Sequence, residues 1–403
     1  MFLMETVRQR EDEMTVFRVG VVGLGDISDV YINNLKQYPQ LVSLEACAAR
    51  SLDKAQAKAD QHGFKKAYSS PSELIADPDV DIVLNLTPPE SHFAINMEAL
   101  EAGKHVHTEK PIASTYEEGV QLVQRAKELG LRIGCAPDTF MGGRLQTCRK
   151  LIDDGIIGDI VGATAFCAYH GVESFHPSPD FFYKKGAGPL LDIGPYYMTA
   201  LLSLMGPVTS VAAMARKTHA QRTILSEPLK GGLIDVEVDT HVTGNLQFAS
   251  GAIGTMITSF DVWDSELPRM EIYGTKGTLC LPDIDPLDGP NLFGGPLWLN
   301  TTENYRWYGF PRDESINAWE EVALEHPFTS TSHAENSRGI GLIDLALAIR
   351  EGREERASGR MALHSLEVME KMLDSARDRC FYDMETTFDQ PKAQSTDYPE
   401  SEI

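Results

Sequence analysis

The feature that most constrains this chain is a glycine-rich turn near its N-terminus, Gly-Val-Val-Gly-Leu-Gly-Asp-Ile-Ser at residues 20–28. It continues the short apolar run Phe17–Val22, which is typical of a strand in a buried parallel sheet. Gly23 allows a tight turn, Gly25 leaves no side chain between the backbone and a diphosphate, and small Ser28 permits close helix packing. A simple strand–helix connection would also use such glycines, but this position favours a dinucleotide site with phosphates at the helix N-terminus. The predicted contacts are Gly23, Gly25, Asp26 and Ile27.

Beyond this turn, short strand-like runs alternate with helical stretches as far as about residue 138. Ser70-Pro71-Ser72-Glu73 has the form of a capping box and predicts a helix that ends near Asp77. Alternating strands and helices imply right-handed βαβ units, so we expect an α/β domain with a doubly wound parallel sheet of the Rossmann type. The strands expected after the first are Leu41–Ala49, Val80–Leu86, His105–His107 and Leu131–Gly134.

The pattern changes after about residue 158, where strands follow one another with few helices between them. Apolar and polar residues alternate within Val238–Phe248, which indicates a sheet with unlike faces, and Ala249-Ser250-Gly251 is a hairpin turn signal. We therefore expect an α+β domain with an open, largely antiparallel sheet, which helices cover on one face and a second subunit could cover on the other. The other expected strands are Val161–Tyr169, Thr209–Ala215, Ala252–Asp261 and Arg269–Tyr273.

The length of 403 residues favours two domains, since one hydrophobic core rarely grows that large. We expect a flexible N-terminal arm at residues 1–13 and a Rossmann domain at residues 14–138. A substrate-binding and oligomerisation domain is expected at residues 139–380. Residues 381–403 form a polar, acidic tail that we expect to be loosely held.

The composition argues against several classes of partner. The chain has 36 Lys and Arg against 59 Asp and Glu, and a net charge of −23 repels nucleic acids and anionic membranes. No apolar run approaches the roughly 20 residues that span a bilayer. The six cysteines are scattered without a Cys-x-x-Cys pair. This pattern predicts reduced, mostly buried thiols, a cytoplasmic protein and no metal site.

Two segments follow predicted strands at the carboxyl edge of the parallel sheet, where ligands bind in open α/β folds. Thr87-Pro88 with His92 follows one strand, and Glu109-Lys110-Pro111 follows another. The first could be only a rigid turn and Lys110 only a solvated charge. At this edge, however, a strand end and a proline are well suited to aim the Lys110 ammonium into a cleft. We therefore assign Thr87, Pro88, His92, Glu109 and Lys110 to the cofactor site.

The end of the second strand should distinguish NAD from NADP. An Asp or Glu there would accept hydrogen bonds from the ribose 2′-hydroxyl of NAD, whereas this strand ends in Ala48-Ala49-Arg50-Ser51. The Arg50 guanidinium and the Ser51 hydroxyl suit a 2′-phosphate, which favours NADP slightly. Alternatively, Arg50 stacks on the adenine ring, an arrangement that is compatible with either cofactor.

A second glycine-rich segment, at residues 186–199, brings the backbone close to some other group. Asp192 and Tyr196 are four residues apart in it, so they share one face if the segment is helical. A carboxylate and a phenol on one face can orient and deprotonate a hydroxyl group. The alternative is a helix N-terminus, with Asp192 as its cap and Tyr196 as a packed aromatic.

Taken together, these segments resemble the Gfo/Idh/MocA family over about residues 15–380. The resemblance rests on the first glycine-rich turn, Thr87-Pro88 with His92, Glu109-Lys110-Pro111 and the segment leading to Asp192. It implies a Rossmann domain followed by a domain whose open sheet forms a homodimer or homotetramer. It also implies hydride transfer on sugars, polyols or related compounds, and final helices, around Arg360–Ala376, that pack back on the N-terminal domain.

Carried over by residue, Lys110 matches the family lysine that contacts the reacting hydroxyl and the nicotinamide ribose. Asp192 matches the acidic residue of the Asp-x-Gly-x-His element, but Tyr196 stands where the family histidine would be. Another member of the family resembles this chain in having tyrosine there, so a catalytic phenol at this position is consistent with the resemblance. His176 is a further candidate for substrate contact, and His170 is a weaker one.

The resulting hypothesis is an NAD- or NADP-dependent oxidoreductase acting on a small sugar or polyol. Tyr196, tuned by Lys110 and oriented by Asp192, would take the hydroxyl proton while hydride moves to the nicotinamide. Two alternatives stay open: an NAD-dependent glycosidase without net redox change, and a non-catalytic dinucleotide sensor.

Overall fold

The computed structural model describes residues 16–282, 292–301, 319–332 and 335–403. The expected arm at residues 1–13 lies outside the described residues. By its contacts the chain divides into two compact units. In the described part, the first contains residues 16–141, 335–363 and 394–403, and the second contains residues 142–332 and 364–393. The units therefore interleave along the chain.

The first unit is built on a six-stranded parallel sheet, and this confirms the predicted Rossmann arrangement. Its strand order is β3-β2-β1-β4-β5-β6. The C-terminal ends of the strands are in register: Val22 pairs with Ala48 and Asn85, and Asn85 pairs with Thr108. The turns that follow these strands consequently lie at one edge. The strands are β1 Phe17–Val22, β2 Val42–Ala48, β3 Lys66–Tyr68, β4 Ile82–Asn85, β5 His105–Thr108 and β6 Ile133–Cys135.

Five helices connect these strands, and three of them begin at a hydroxyl side chain that caps the helix. Ser51, Ser70 and Thr115 accept the N–H of the residue three positions on. The predicted capping box is extended by one residue, because the Glu73 carboxylate accepts from the N–H and the hydroxyl of Ser69. The helices are α1 Ser28–Leu35, α2 Leu52–His62, α3 Pro71–Ile75, α4 His92–Glu101 and α5 Tyr116–Leu129.

The second unit contains a nine-stranded sheet of order β16-β15-β14-β13-β7-β12-β11-β8-β17. Among the described strands, β7 and β12 pair in parallel and the other neighbours are antiparallel, which agrees with the expected open sheet. β9 and β10 form a separate hairpin. The strands are β7 Ile160–Ala168, β8 Val208–Arg216, β9 Gln221–Thr223, β10 Leu233–Asp235, β11 His241–Phe248, β12 Ile253–Ser259, β13 Met270–Gly274, β14 Gly277–Leu281, β15 Trp298–Thr301, β16 Glu320–Glu321 and β17 Tyr382–Asp383.

Helices cover one face of this sheet. The helices that follow β6 are α6 Gly143–Asp153, α7 Pro189–Asp192, α8 Gly194–Met205, α9 Ile340–Glu351 and α10 Gly359–Asp378, of which α9 belongs to the first unit. Val242, Leu246 and Phe248 of β11 are buried, and Gly244 lies against Met372 of α10. On the opposite face, Asn245 and Gln247 are exposed. The alternation in the sequence therefore predicted the two faces of β11 correctly.

The C-terminal residues are docked on the first unit, which differs from the expected loose tail. Tyr398 is fully buried and its hydroxyl donates to Asp344 of α9 at 3.1 Å. Glu402 accepts from Arg356 at 3.0 Å, and the Arg356 guanidinium lies 4.9 Å from the centroid of the Tyr398 ring. The sequence of this segment has no periodic pattern, so it did not reveal the buried Tyr398 or the ion pairs of Glu402 with Arg353 and Arg356.

None of the helices in the described part of the chain combines the length and the apolarity needed to cross a bilayer. The six cysteines are free; Cys47, Cys135 and Cys148 are buried, whereas Cys380 is exposed. The expectation of mostly buried thiols therefore holds for only half of them.

Candidate active site

Gly23 is required by packing within the chain. Its φ is +91°, and a Cβ atom there would lie 2.6 Å from the carbonyl carbon of Leu86 and 2.7 Å from the nitrogen of Thr87. The close approach that this glycine allows is therefore between the turn after β1 and the end of β4. It holds together two turns at the ligand-binding edge of the sheet.

Gly25 has no such explanation within the protein. A Cβ atom there would meet no other atom within 4 Å, and the backbone lies outside the left-handed region. The open space at this position is what a bound diphosphate would need. The adjoining residue Asp26 is exposed and Ile27 is half-buried.

The N-terminus of α1 differs from those of α2, α3 and α5. Ile27 occupies the cap position and provides no side-chain acceptor. The first N–H groups of a helix attract anions when no side chain caps them. Asp29 in this first turn could repel an anion, but its carboxylate contacts Lys58 and accepts from His62 at 2.8 Å. Burial opposes the charge, yet these two hydrogen bonds lower the pKa of Asp29 overall.

The turn after β4 is held by two buried side chains. Asn85 accepts from the nitrogen and the hydroxyl of Thr87, at 3.1 and 2.6 Å. The two ring nitrogens of His92 lie 2.6 Å from the Pro111 carbonyl oxygen and 2.8 Å from that of Thr87. His92 thus joins the Thr87-Pro88 turn to the turn after β5. These backbone contacts favour a positioning role for its ring over direct contact with a cofactor.

Lys110 follows β5, and its backbone is fixed by the preceding residue. Glu109 accepts the Lys110 N–H at 2.9 Å, the Tyr31 hydroxyl at 2.7 Å and an Arg338 guanidinium N–H at 3.4 Å. Burial opposes ionisation of Glu109, but the charges of Arg338 and Lys110 and the Tyr31 hydrogen bond hold its pKa below the ordinary value. A buried, ionised carboxylate therefore anchors the turn that carries Lys110.

The predicted ribose-binding residues lie at the C-terminal end of β2. Arg50 is exposed there. The hydroxyl oxygen of Ser51 accepts the N–H of Lys54 at 3.5 Å and caps α2, so its proton remains available to a ligand. Asp53, in the first turn of α2, is exposed.

Asp192 and Tyr196 belong to the second unit. Asp192 ends α7, and Tyr196 lies in the first turn of α8, so Ile193 separates the two helices. Asp192 is half-buried and Tyr196 is only 5% exposed. Burial, followed by the charge of Asp192, raises the pKa of Tyr169 well above its ordinary value. The Asp192 carboxylate is therefore within electrostatic reach of the end of β7.

The two histidine candidates lie in loops of the same unit. The Nδ1 atom of His176 accepts the Ser178 N–H at 3.0 Å, and its ring packs edge-on against Phe182 at a centroid distance of 4.9 Å. The His170 ring stacks on Trp263, with centroids 3.5 Å apart and planes 12° apart.

The family is decided by comparison with known proteins. Residues 17–136 match a family described as an oxidoreductase family with an NAD-binding Rossmann fold. Residues 145–280 match the GFO/IDH/MocA C-terminal domain. The chain belongs to the Gfo/Idh/MocA family. The resemblance seen in the sequence is thereby confirmed.

Members of this family with known activities are among its relatives. The chain is 27% identical over 326 residues to D-xylose dehydrogenase of Paenarthrobacter nicotinovorans, covering 73% of this chain and 81% of that protein. It is 24% identical over 269 residues to myo-inositol 2-dehydrogenase of Thermotoga maritima, covering 66% and 75%. The structure of levoglucosan dehydrogenase in complex with NADH and levoglucosan is similar with a TM-score of 0.76 at 22% identity. That likeness covers 92% of this chain and 100% of the other, and it shows the fold.

This Gfo/Idh/MocA chain is accordingly an enzyme, a dehydrogenase or reductase of an NAD-binding family. The described residues fit a nicotinamide dinucleotide, because the space at Gly25 and the uncapped α1 suit its diphosphate. Three residues that support this site were not predicted from the sequence. Asn85 could have been noticed as a polar residue ending an apolar strand, whereas Tyr31 and Arg338 gave no such signal.

Proposed function

We propose that this enzyme transfers hydride between a nicotinamide dinucleotide and a secondary alcohol or ketone of a sugar or polyol. The observation that carries the proposal is the anchoring of Lys110 through Glu109. It fixes the residue at the same sheet edge as the open turn at Gly25. Two relatives that are named for xylose and inositol support the choice of substrate class.

In this proposal, side chains of the protein transfer the proton of the substrate hydroxyl. The dinucleotide, when bound, supplies the ring that accepts or returns hydride. The Lys110 ammonium donates a hydrogen bond to the reacting oxygen, and Tyr196 takes the hydroxyl proton during oxidation. Asp192 orients the substrate hydroxyl or the phenol. To act as this base, Tyr196 must enter the step as the phenolate and leave it as the phenol.

We further propose that the enzyme prefers NADP. The proposal rests on the exposed Arg50 and on the absence of a carboxylate between the end of β2 and Asp53. A guanidinium binds a 2′-phosphate through charge-assisted hydrogen bonds. Titration with both nucleotides, for the wild type and Arg50→Ala, tests it: the substitution should weaken NADP binding much more than NAD binding. Equal effects would contradict the preference.

We also propose that the protein forms a homodimer or homotetramer through the exposed face of its nine-stranded sheet. Met214 and Ile253 are 77% and 60% exposed there. Solvent-exposed apolar residues on a sheet face are typical of an interaction surface. The free cysteines support a reducing compartment, as in the cytoplasm.

The decisive experiment combines a substrate screen with one substitution. Sugars and polyols are screened with both nucleotides by absorbance at 340 nm. For the best substrate, Tyr196→Phe should lower kcat by about 10²–10⁴-fold, the usual contribution of a positioned base. Nucleotide affinity should stay unchanged, because the phenol acts on the substrate.

Tyr197→Phe is the matched control. The neighbouring phenol is buried and accepts from Arg269 at 3.3 Å, so its loss should affect stability rather than kcat. Lys110→Ala should lower kcat and weaken substrate binding together. An unchanged kcat in Tyr196→Phe would remove this phenol from the mechanism. Sugar release without any net absorbance change would indicate a glycosidase instead.

A further inference from the structure

Trp263 is an exposed aromatic ring whose orientation is fixed. The residue is 81% exposed, which is unusual for tryptophan. One face of its ring is stacked on His170, with centroids 3.5 Å apart and an angle of 12° between the planes. Burial, followed by the charge of Arg222, lowers the pKa of His170. At neutral pH the tryptophan therefore rests on an uncharged imidazole and presents its other face to solvent.

A buried ion network holds the two loops that carry these rings. Arg222 donates to Glu173 at 2.7 Å and to Asp261 at 2.7 Å, and all three side chains are at most 10% exposed. Glu173 follows His170 in one loop, and Asp261 precedes Trp263 in the other. Buried ion pairs add little net stability but fix geometry, so this network preorganises the stacked pair.

The stacked pair adjoins, along the chain, a residue that lies near one candidate catalytic residue of this unit. His170 directly follows Tyr169, whose hydroxyl is within electrostatic reach of Asp192. If one ring of a substrate binds at Asp192, a second part of the same molecule could extend past Tyr169 towards His170 and Trp263.

The chemistry of the loop suits a neutral sugar. A tryptophan face is electron-rich and attracts the C–H groups on one face of a pyranose ring. Asp264 and Glu266 are exposed beside Trp263 and can accept hydrogen bonds from hydroxyl groups. The same carboxylates repel anions, which favours a neutral ligand.

We propose that Trp263 is a subsite for a pyranose ring other than the one that reacts. The enzyme would then act on disaccharides or other glycosides, with the reacting ring near Asp192 and the second ring on Trp263. This inference rests on the proposed function for its reacting ring, but the subsite is detected by binding alone.

The experiment compares matched ligands on the full-length protein saturated with nucleotide. Affinities for D-glucose, maltose and cellobiose are measured by calorimetry for the wild type, Trp263→Ala and Trp263→Phe. We expect at least one disaccharide to bind more tightly than glucose to the wild type. Trp263→Ala should weaken that binding about tenfold, as expected for loss of an aromatic contact, and leave glucose unchanged. Trp263→Phe should retain part of the difference.

Trp319→Ala is the matched control, because Trp319 is also exposed, at 40%, and should alter neither affinity. Equal effects on glucose and disaccharides, or no effect on either, would overturn the subsite. A changed mass in light scattering with unchanged sugar binding would overturn it too, because Trp263 would then contact a second copy. Disaccharide binding that depends on Trp263, without turnover of any sugar, would support the subsite and count against the proposed function. If the protein turns over glucose, Trp263→Ala does not change this turnover, and disaccharides bind no more tightly than glucose, the subsite is overturned and the proposed function stands.

Discussion

At the scale of single residues, the first unit depends on buried carboxylates whose partners are far away in the chain. Asp138, after β6, accepts the N–H groups of Gly339 and Gly341 at 2.8 and 3.0 Å. It therefore caps α9, which has no side-chain cap of its own. Burial raises the pKa of Asp138 to about 6, although these hydrogen bonds and Arg338 act in the opposite direction.

This raised pKa predicts a specific pH dependence of stability. The folded state holds the Asp138 proton more tightly than the unfolded state, so the contribution is complete below the ordinary value of 3.8 and is lost as pH rises through about 6. Relative to Asp138→Asn, whose amide oxygen can still accept both N–H groups, the wild type should lose about 2 kcal/mol of unfolding free energy between pH 4.5 and pH 7.5. Urea denaturation of both proteins at pH 4.5, 6 and 7.5 measures the difference. If the unfolding free energies of the two proteins change with pH in parallel, the pKa of Asp138 is not raised in the folded state.

Such residues also show where prediction from sequence stops. The pattern of strands placed Lys110 and Thr87 at strand ends, because hydrophobic runs and prolines are local signals. It could not pair Glu109 with Arg338 or Asp138 with Gly339, since more than 200 residues separate the members of each pair. Their proximity arises from the later segment that joins the first unit.

At the scale of elements, the turn between β1 and α1 contains two glycines, and glycine is needed at each for a different physical reason. At Gly25, alanine meets no protein atom, so Gly25→Ala should fold with unchanged stability. Its methyl group would instead overlap a bound diphosphate. We expect nucleotide affinity to fall about tenfold to a hundredfold, equivalent to ~1–3 kcal/mol of overpacking.

Gly23→Ala is the comparison that separates ligand binding from folding. Here a methyl group would collide with the backbone of β4, and the φ of +91° is unfavourable for alanine. The melting temperature should therefore fall in Gly23→Ala and stay constant in Gly25→Ala. Calorimetric titration with both nucleotides completes the test. Wild-type affinity in a folded Gly25→Ala protein would mean that the dinucleotide takes another path.

The elements themselves could largely be predicted, since each depends on neighbouring residues. The β11 faces followed from alternation, and the start of α3 followed from Ser70 and Pro71. Predictions failed where tertiary contacts decide the outcome. Residues 394–403 lack periodicity, yet they are held in place by Tyr398 and by the pairing of Glu402 with Arg356.

At the scale of the whole molecule, the open question is what covers the exposed face of the nine-stranded sheet. Met214 is in register with Thr243, and Thr243 with Ile257; Ile253 faces Gln247 on the neighbouring strand. These side chains share one side of the sheet because residues in register point the same way. A surface of this kind is self-complementary only if a two-fold axis brings two copies face to face.

A charge placed on this face should therefore separate the copies. In Met214→Glu, each copy would bury an unpaired carboxylate close to its symmetry mate, and the desolvation and repulsion would destabilise the assembly. Light scattering during size-exclusion chromatography should show a dimer or tetramer for the wild type and a mass reduced by at least half for the variant. Leu129→Glu is the control, because Leu129 is an exposed apolar residue at the end of α5 in the first unit and should leave the mass unchanged. A monomeric wild type, or a variant of unchanged mass, would mean that another surface carries the assembly or that the sheet face stays open to solvent.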